Sequence, residues 1–167
     1  FYFYFIIFFN KIFKVNHMKK IIILISLFLI SFTARTEAID LSTLDGGKIS
    51  YEKLISKPKT VLFVWTTWCP SCIKEIKKLS KKCLSIKGID IKYLNVGQSV
   101  SKVRKFVVSN KIKDCISKKI LLDTQSIIAQ LYGISGIPTY IFLKDGKPIY
   151  KSYFFTEKLA EMVFENN

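Results

Sequence analysis

The sequence predicts an α/β domain built around a mixed β-sheet. Short apolar runs typical of buried strands alternate with stretches whose apolar residues recur every three or four positions, as in amphipathic helices. Near the C-terminus, Asp145-Gly146 separates two extended runs and is typical of a hairpin turn. Because parallel strands need long crossovers whereas a tight turn joins antiparallel ones, the two patterns together indicate a mixed sheet flanked by helices.

The first predicted elements follow from turns and apolar periodicity. Asp45-Gly46-Gly47-Lys48 marks a turn between two short extended pieces, which predicts an N-terminal hairpin. Val61–Trp65 is a continuous apolar run, as expected for a strand buried on both faces. A helix that we expect to end near Gly88 follows it. Its predicted buried face consists of Cys72, Ile76, Leu79, Cys83 and Ile86.

The second half of the chain continues the alternation. The predicted elements are a strand over 89–96, a helix over 99–109, a strand over 120–122, a helix over 124–132, strands over 140–143 and 149–153, and a final helix. Gly133 is expected to stop the helix before it, and Thr156 to cap the final helix. Residues 39–167 provide enough chain for one core and too little for two.

The tetrapeptide Cys69-Pro70-Ser71-Cys72 lies at the boundary between a predicted strand and a predicted helix. Pro70 suits the first helical turn, where its missing N–H costs no hydrogen bond. Cys69 is therefore expected at a helix N-terminus, whose free N–H groups and dipole favour a thiolate. Since two thiols at this spacing can open and close a disulfide, we predict a redox-active pair of Cys69 and Cys72.

A zinc site and a purely structural disulfide are the other interpretations of these cysteines. A zinc site of this type needs a second ligand pair, whereas Cys83 and Cys115 are single and His17 precedes the predicted domain. A structural disulfide across two residues closes too short a loop to constrain the unfolded chain much. We therefore predict no metal, and no other cofactor.

Residues 1–38 are predicted to lie outside the folded domain. The first methionine is Met18, and residues 1–17 are interpreted as an upstream artefact of the assumed translation start. Lys19-Lys20, the apolar run Ile21–Phe32 and the small residues up to Ala38 are typical of a secretory signal peptide, so we predict a cleaved signal over 18–38. The alternative is an uncleaved membrane anchor. Under both interpretations the folded domain is 39–167, and it lies in the periplasm or in another exported location.

The chain carries a formal net charge of +15, and residues 39–167 hold 22 basic and 11 acidic side chains. Such a charge can attract acidic partners or anionic lipid surfaces. The lysines occur in many segments, among them Lys77-Lys78, Lys81-Lys82 and Lys118-Lys119, which is typical of solvated faces. No basic stripe alternates with exposed aromatic residues, and nucleic-acid binding is therefore not predicted.

Two motifs make the domain similar to the thioredoxin superfamily. Trp65-Thr66-Thr67-Trp68-Cys69-Pro70-Ser71-Cys72 resembles its active-site stretch, and Gly136-Ile137-Pro138-Thr139 resembles the loop whose proline is cis and faces the dithiol. The resemblance covers 39–167 and is strongest to the exported TlpA/ResA-like branch, whose inserted segment corresponds to Ser99–Lys113. It implies a thioredoxin-like fold. It also implies substrate contact by Trp68, Ile137 and Pro138.

Glu75 is a third candidate catalytic residue. At about 100° per residue, it falls one turn below Cys72, at the edge of the predicted buried face. A carboxyl held there can exchange a proton with the thiols. The resemblance implies such a role, because the branch has an active-site glutamate at this offset and Phe63 replaces thioredoxin's buried aspartate here. The alternative is a surface glutamate that pairs with Lys74 or Lys78.

The predicted function is thiol-disulfide exchange. Pro70-Ser71 adds neither charge nor imidazole, so we expect a less oxidising pair than that of DsbA, and hence a reductase. The resemblance implies exported proteins with disulfides or thiols as partners, apocytochrome c among them, and a membrane electron donor. The alternatives are an oxidant or isomerase on the same fold, a non-enzymatic binding module, and a thiol peroxidase, although Leu62 stands where the peroxiredoxin motif has proline.

Cys83 and Cys115 are not part of the predicted dithiol. Cys83 falls on the predicted buried face of its helix and is expected to be a core thiol. Cys115 lies between the inserted segment and the strand that begins at Ile120. A disulfide between these two cysteines is the alternative, because their separation in sequence does not determine the distance between their Cα atoms.

Overall fold

The computed structural model describes residues 38–166. Its strands are β1 (Asp40–Thr43), β2 (Lys48–Ser50), β3 (Lys59–Trp65), β4 (Asp90–Val96), β5 (Ile120–Asp123), β6 (Thr139–Lys144) and β7 (Lys147–Ser152). Its helices are α1 (Tyr51–Ile55), α2 (Pro70–Lys82), α3 (Val100–Ser109), α4 (Asp114–Ser117), α5 (Ile127–Leu131) and α6 (Glu157–Glu165). The predicted artefact over 1–17 and the predicted signal peptide, apart from its last residue, lie outside the described residues.

The strands form one mixed sheet in the order β2-β1-β5-β4-β3-β6-β7. The pairs β3/β4 and β4/β5 are parallel, whereas the other neighbours are antiparallel. The central strand β3 pairs with β4 from Thr60 to Trp65 and with β6 from Lys59 to Val64. The α/β class with a central mixed sheet and flanking helices is therefore confirmed.

Both faces of the sheet are covered by helices, which explains why its central strands are apolar throughout. On one face, the alternate β3 side chains of Val61, Phe63 and Trp65 belong to a core with apolar residues of α2, α3, α4 and α6. On the other face, Leu62 and Val64 pack in a second core with residues of α1 and α5. Period-two alternation along β3 thus divides one apolar run between two cores.

The predicted N-terminal hairpin and inserted helical segment are both present. β1 and β2 pair antiparallel through a turn in which Gly46 has a φ of 95°, a conformation that favours glycine. The inserted segment Ser99–Lys113 contributes α3, and α4 follows it before β5. The side chain of Ser99 accepts a hydrogen bond from the backbone N–H of Lys102 and so caps α3.

Helix α2 ends at Lys82, six residues before the predicted end near Gly88. Cys83 has a φ of 46°, in the left-handed region, and its N–H donates to the carbonyl groups of Leu79 and Ser80. Such a left-handed residue at a helix C-terminus stops the helix. The apolar spacing of Ile86 suggested a longer helix, but Ile86 instead pairs with Ile89 in an isolated bridge.

The structure joins Cys83 to Cys115 in a disulfide, with sulfur atoms 2.04 Å apart and Cα atoms 5.6 Å apart. The expectation of a core thiol at Cys83 is therefore wrong. The physical reason is that the chain turns at the end of α2, and α4, which directly follows the inserted segment, lies beside that turn. The disulfide ties the end of the helix that carries the dithiol to α4 across 32 residues of sequence.

Helix α5 is shorter than predicted. Residues 124–126 are not helical, because the carboxylate of Asp123 binds the first backbone N–H groups of the helix. The carboxylate of Asp123 accepts hydrogen bonds from the backbone N–H groups of Ile127, at 2.8 Å, and Ala129, at 2.9 Å. Ser126, at the N-cap, has a φ of 60°. The helix therefore begins at Ile127 instead of near Thr124.

The described part of the chain also contains no helix that is both long enough and apolar enough to cross a membrane.

Replacing both Cys83 and Cys115 by serine is expected to lower the free energy of unfolding by about 2–4 kcal/mol, because the disulfide closes a long loop in the unfolded chain. Denaturant titration monitored by circular dichroism measures this change. The matched control is the pair Cys69→Ser and Cys72→Ser, which removes a disulfide that closes a very short loop and should cost much less. Equal unfolding free energies for the Cys83/Cys115 variant and the parent chain would contradict the pairing.

Candidate active site

The dithiol stands where β3 passes into α2. Cys69 is the N-cap of α2, with extended backbone, and Pro70 is the first helical residue, as predicted. The sulfur of Cys69 accepts a hydrogen bond from the backbone N–H of Cys72 at 3.2 Å. The two sulfur atoms are 2.30 Å apart and the Cα atoms 5.2 Å apart, so the cysteines are paired as a disulfide.

The two cysteines differ in access to solvent. Cys69 retains 4% of its surface, whereas Cys72 is fully buried against the core. The hydroxyl of Ser71 lies 3.2 Å from the sulfur of Cys69. Because thiol exchange requires that a partner's sulfur reach the attacking one, Cys69 is the sulfur that a partner can approach.

The Gly136–Thr139 loop faces the dithiol. The Ile137–Pro138 peptide bond is cis, and the carbonyl oxygen of Ile137 lies 3.9 Å from the sulfur of Cys69. The hydroxyl of Thr139 donates to the carbonyl of Gly136 at 2.6 Å and braces the loop. This placement follows from the sheet, because Thr139 at the start of β6 pairs with Val64 near the end of β3.

A buried amide network holds the chain just before Cys69. The side-chain oxygen of Gln98 accepts hydrogen bonds from the backbone N–H of Thr67, at 2.8 Å, and from the side chain of Asn95, at 3.0 Å. Its side-chain nitrogen donates to the hydroxyl of Thr67 at 2.9 Å. Sequence reasoning missed this network. Its signal was the polar Asn95 between Leu94 and Val96, in the apolar second half of β4.

Glu75 lies on α2 with its side chain 20% exposed. Its carboxylate accepts a hydrogen bond from the hydroxyl of Tyr140 at 3.1 Å, and pairs with the ammonium of Lys78 at 3.4 Å. Glu75 therefore lies at the edge of the buried face, as predicted, and it also pairs with a lysine, as the alternative expected. The sequence did not indicate Tyr140 as its partner.

Tyr140 keeps its proton. Burial, and next the negative charge of Glu75, raise the pKa of this phenol above its ordinary value. Its ring lies 4.8 Å from that of Phe63 and stacks on that of Phe155 at 5.0 Å. Phe63 therefore packs against the tyrosine whose hydroxyl holds the carboxylate of Glu75.

Two grooves flank the dithiol. One, of about 610 Å³, lies on the side of Trp68 and Ile137 and contains no charged side chain. The other, of about 840 Å³, follows α2 and includes Ser71, Glu75 and Pro138. Trp68 is 65% exposed, which leaves its indole available to a partner rather than to the core.

The predicted site residues thus lie at one end of the sheet. Trp68 and Ile137 share one groove, and Glu75 and Pro138 share the other. Cys69 lies between them, within reach of the Ile137 carbonyl. Among residues 38–166, no group of three or more histidine, cysteine, aspartate or glutamate side chains could hold a metal ion.

Comparisons with known proteins agree with this geometry. The chain is 29% identical over 117 residues to sporulation thiol-disulfide oxidoreductase A of Bacillus subtilis, an alignment that covers 67% of each chain. It is 28% identical over 129 residues to the thiol-disulfide oxidoreductase ResA of Halalkalibacterium halodurans, covering 75% of this chain and 70% of that protein. The crystal structure of StoA from Bacillus subtilis superposes with a TM-score of 0.59 at 24% identity, over 78% of this chain and 98% of that one.

These likenesses confirm the thioredoxin-like fold and the similarity to ResA-type proteins. The dithiol paired at the start of α2 is the group that thiol-disulfide exchange requires. Residues 31–158 match the model of the AhpC/TSA family, which is more than half of the chain. The chain therefore belongs to the AhpC/TSA family and is an oxidoreductase of the thiol-disulfide class.

Proposed function

We propose that this protein reduces disulfides in other exported proteins, with Cys69 as the attacking thiol and Cys72 as the resolving one. The observation that carries the proposal is the position of Cys69 at the N-terminus of α2, where it keeps the small exposed fraction that Cys72 lacks and lies 3.9 Å from the carbonyl oxygen of Ile137. The neighbouring loop gives a partner's backbone a place to lie beside the reactive sulfur.

The exchange proceeds in two balanced steps. The thiolate of Cys69 attacks one sulfur of the partner's disulfide, so that a mixed disulfide forms and the partner's other sulfur leaves as a thiolate, which takes up a proton. Cys72 then loses its proton and attacks the sulfur of Cys69. The Cys69–Cys72 disulfide forms, and the partner's second thiolate leaves. Two electrons have passed to the partner, and a donor must reduce the dithiol again.

The neutral surroundings of Cys69 support the reducing direction. The polar groups near its sulfur are the backbone N–H of Cys72 and the hydroxyl of Ser71, both at 3.2 Å, and the carbonyl oxygen of Ile137 at 3.9 Å, and none of them carries a charge. A thiolate stabilised only by neutral donors and a helix terminus is less favoured than one beside a cation. Since a more stable thiolate makes a dithiol more oxidising, this pair should be closer to thioredoxin than to DsbA.

The proposed partners follow from the sequence and the relatives. The signal-peptide pattern over 18–38 supports export, and the likeness to ResA-type proteins supports a role in cytochrome c maturation, with apocytochrome c as one substrate. A membrane electron donor would return the dithiol to its reduced form. Trp68, Ile137 and Pro138 would contact the partner, with Trp68 as an apolar wall beside Cys69.

The midpoint potential of the Cys69–Cys72 pair tests the direction of transfer. Equilibration with glutathione buffers, followed by quantification of the two redox forms, should give a value near thioredoxin's, about −270 mV. A value near that of DsbA, about −120 mV, would instead make the protein an oxidant. Peroxide consumption, measured on the same reduced samples, is expected to be absent, and its presence would favour the thiol peroxidase alternative.

Cys72→Ala is expected to accumulate mixed disulfides on Cys69, because the attacking sulfur remains and the resolving one is lost. Non-reducing electrophoresis followed by mass mapping of the adducts measures this outcome. Cys69→Ala is the matched control and should trap nothing, since Cys72 is fully buried. Adducts on Cys72 in that control would reverse the two roles.

Glu75→Gln is expected to keep the fold, since glutamine has nearly the same size and can still accept from Tyr140. If the carboxylate moves the proton that the thiols lose and regain, the pH profile of iodoacetamide alkylation should shift and exchange should slow, by no more than about 10²-fold. Glu161→Gln, on the exposed face of α6, is the matched control. An unchanged profile in Glu75→Gln would leave Glu75 as a surface partner of Lys78.

A further inference from the structure

We propose that the groove along α2 binds an acidic stretch of the polypeptide whose disulfide Cys69 attacks, an inference that rests on the proposed function. The groove holds about 840 Å³ and begins at Ser71 and Pro138, beside the dithiol. One wall is the lysine-rich face of α2, and the other is the aromatic segment before α6. We call it the lysine groove, and its basic residues are Lys74, Lys77, Lys78, Lys81 and Lys82.

The charge of the lysine groove is almost uncompensated. Five of the nine residues from 74 to 82 are lysines, and the one carboxylate that lines the groove is that of Glu75. Within residues 38–166, Lys78 forms an ion pair with Glu75, whereas the other four form none. Lysines three and four residues apart on a helix repel each other, so this arrangement destabilises α2 unless an anionic group lies between them.

The opposite wall of the groove offers apolar contact. Tyr153 is 66% exposed and Phe154 is 63% exposed. These two large side chains therefore contribute little to the core. A Cβ atom at Gly136 would lie 3.5 Å from the ring of Tyr153, which places this aromatic wall beside the loop of Pro138. Exposed aromatic rings are typical anchors for protein partners.

The position of the groove makes a polypeptide the fitting occupant. A chain whose sulfur reaches Cys69 must continue on either side of it, into the lysine groove or into the neutral groove near Trp68. From Ser71 to Lys82 the helix rises by about 16 Å, which an extended chain spans in about five residues. The substrate's acidic residues should therefore lie within about five positions of its reactive cysteine.

An anionic lipid surface is the other ligand that lysines attract. The lysine groove is concave, one of its walls is aromatic, and it opens onto the dithiol, all of which suit an extended chain more than a flat bilayer. Charge complementarity with an acidic chain would also raise the rate of encounter and would weaken with salt.

Reduction kinetics with model peptides test the proposal. Three peptides carry the same disulfide, followed by four residues that are all glutamate, all glutamine or all lysine. Each peptide is mixed with the pre-reduced full chain, whose dithiol supplies the two electrons, and the second-order rate constant of reduction is measured in low and high salt. The variant is the double substitution Lys77→Gln and Lys81→Gln. The matched control is Lys102→Gln and Lys105→Gln, which removes the same charge from exposed positions of α3.

The parent chain is expected to reduce the glutamate peptide faster than the glutamine peptide, and the lysine-groove variant should lose about fivefold in the second-order rate constant for the glutamate peptide alone. High salt should reduce the preference, and the α3 control should retain it. Equal rates for the three peptides, or equal losses in both double variants, would overturn the proposal while leaving the reductase function intact. A chain that reduces none of the peptides would instead overturn the reductase function itself.

Vesicles distinguish the lipid source of negative charge. Flotation with vesicles of phosphatidylglycerol and phosphatidylcholine is expected to give the same binding for the parent chain and for the lysine-groove variant. The proposal would be overturned if the parent chain bound the vesicles, the lysine-groove variant did not, and the parent chain showed no preference among the peptides. The groove would then be a membrane contact.

Discussion

The pairing of β3 with β4 on one side and β6 on the other is the constraint on which the site depends. β3 ends at Trp65, so the next residues leave the sheet at the edge where β6 begins. The start of α2 and the loop of Pro138 therefore meet at that edge, where the sulfur of Cys69 lies 3.9 Å from the carbonyl oxygen of Ile137. The burial of β3 on both faces fixes its register, because a shift by one residue would exchange the side chains of the two cores.

Two different environments surround the same dithiol. At the sulfur of Cys69 the hydrogen-bond partners are neutral, which suits a pair that gives electrons rather than takes them. One turn further along α2, the surface becomes basic, and Glu75 is its one carboxylate. The redox preference and the choice of partner can therefore be set by separate residues of one helix, the first by its N-terminus and the second by its exposed face.

The lysine-rich helix ends directly before the residue that forms the second disulfide. Cys83 leaves α2 in a left-handed conformation and is joined to Cys115 of α4. The helix that carries the dithiol is thus held at both ends, at Cys69 by the end of β3 and at Cys83 by a covalent bond. Tertiary contacts of this kind matter for α2, because its repeated lysines repel one another.

The sequence by itself determined the local features: the strand at β3, the start of α2 at Pro70, the dithiol, and the Pro138 motif. Each depends on residues adjacent in the chain or one helical turn apart, where periodicity and backbone chemistry suffice. Only the tertiary structure decided the pairing of Cys83 with Cys115, the contact of Tyr140 with Glu75, and the gathering of the α2 lysines opposite Tyr153. These depend on distances between segments far apart in sequence, which packing of the sheet and helices sets and which spacing along the chain does not contain.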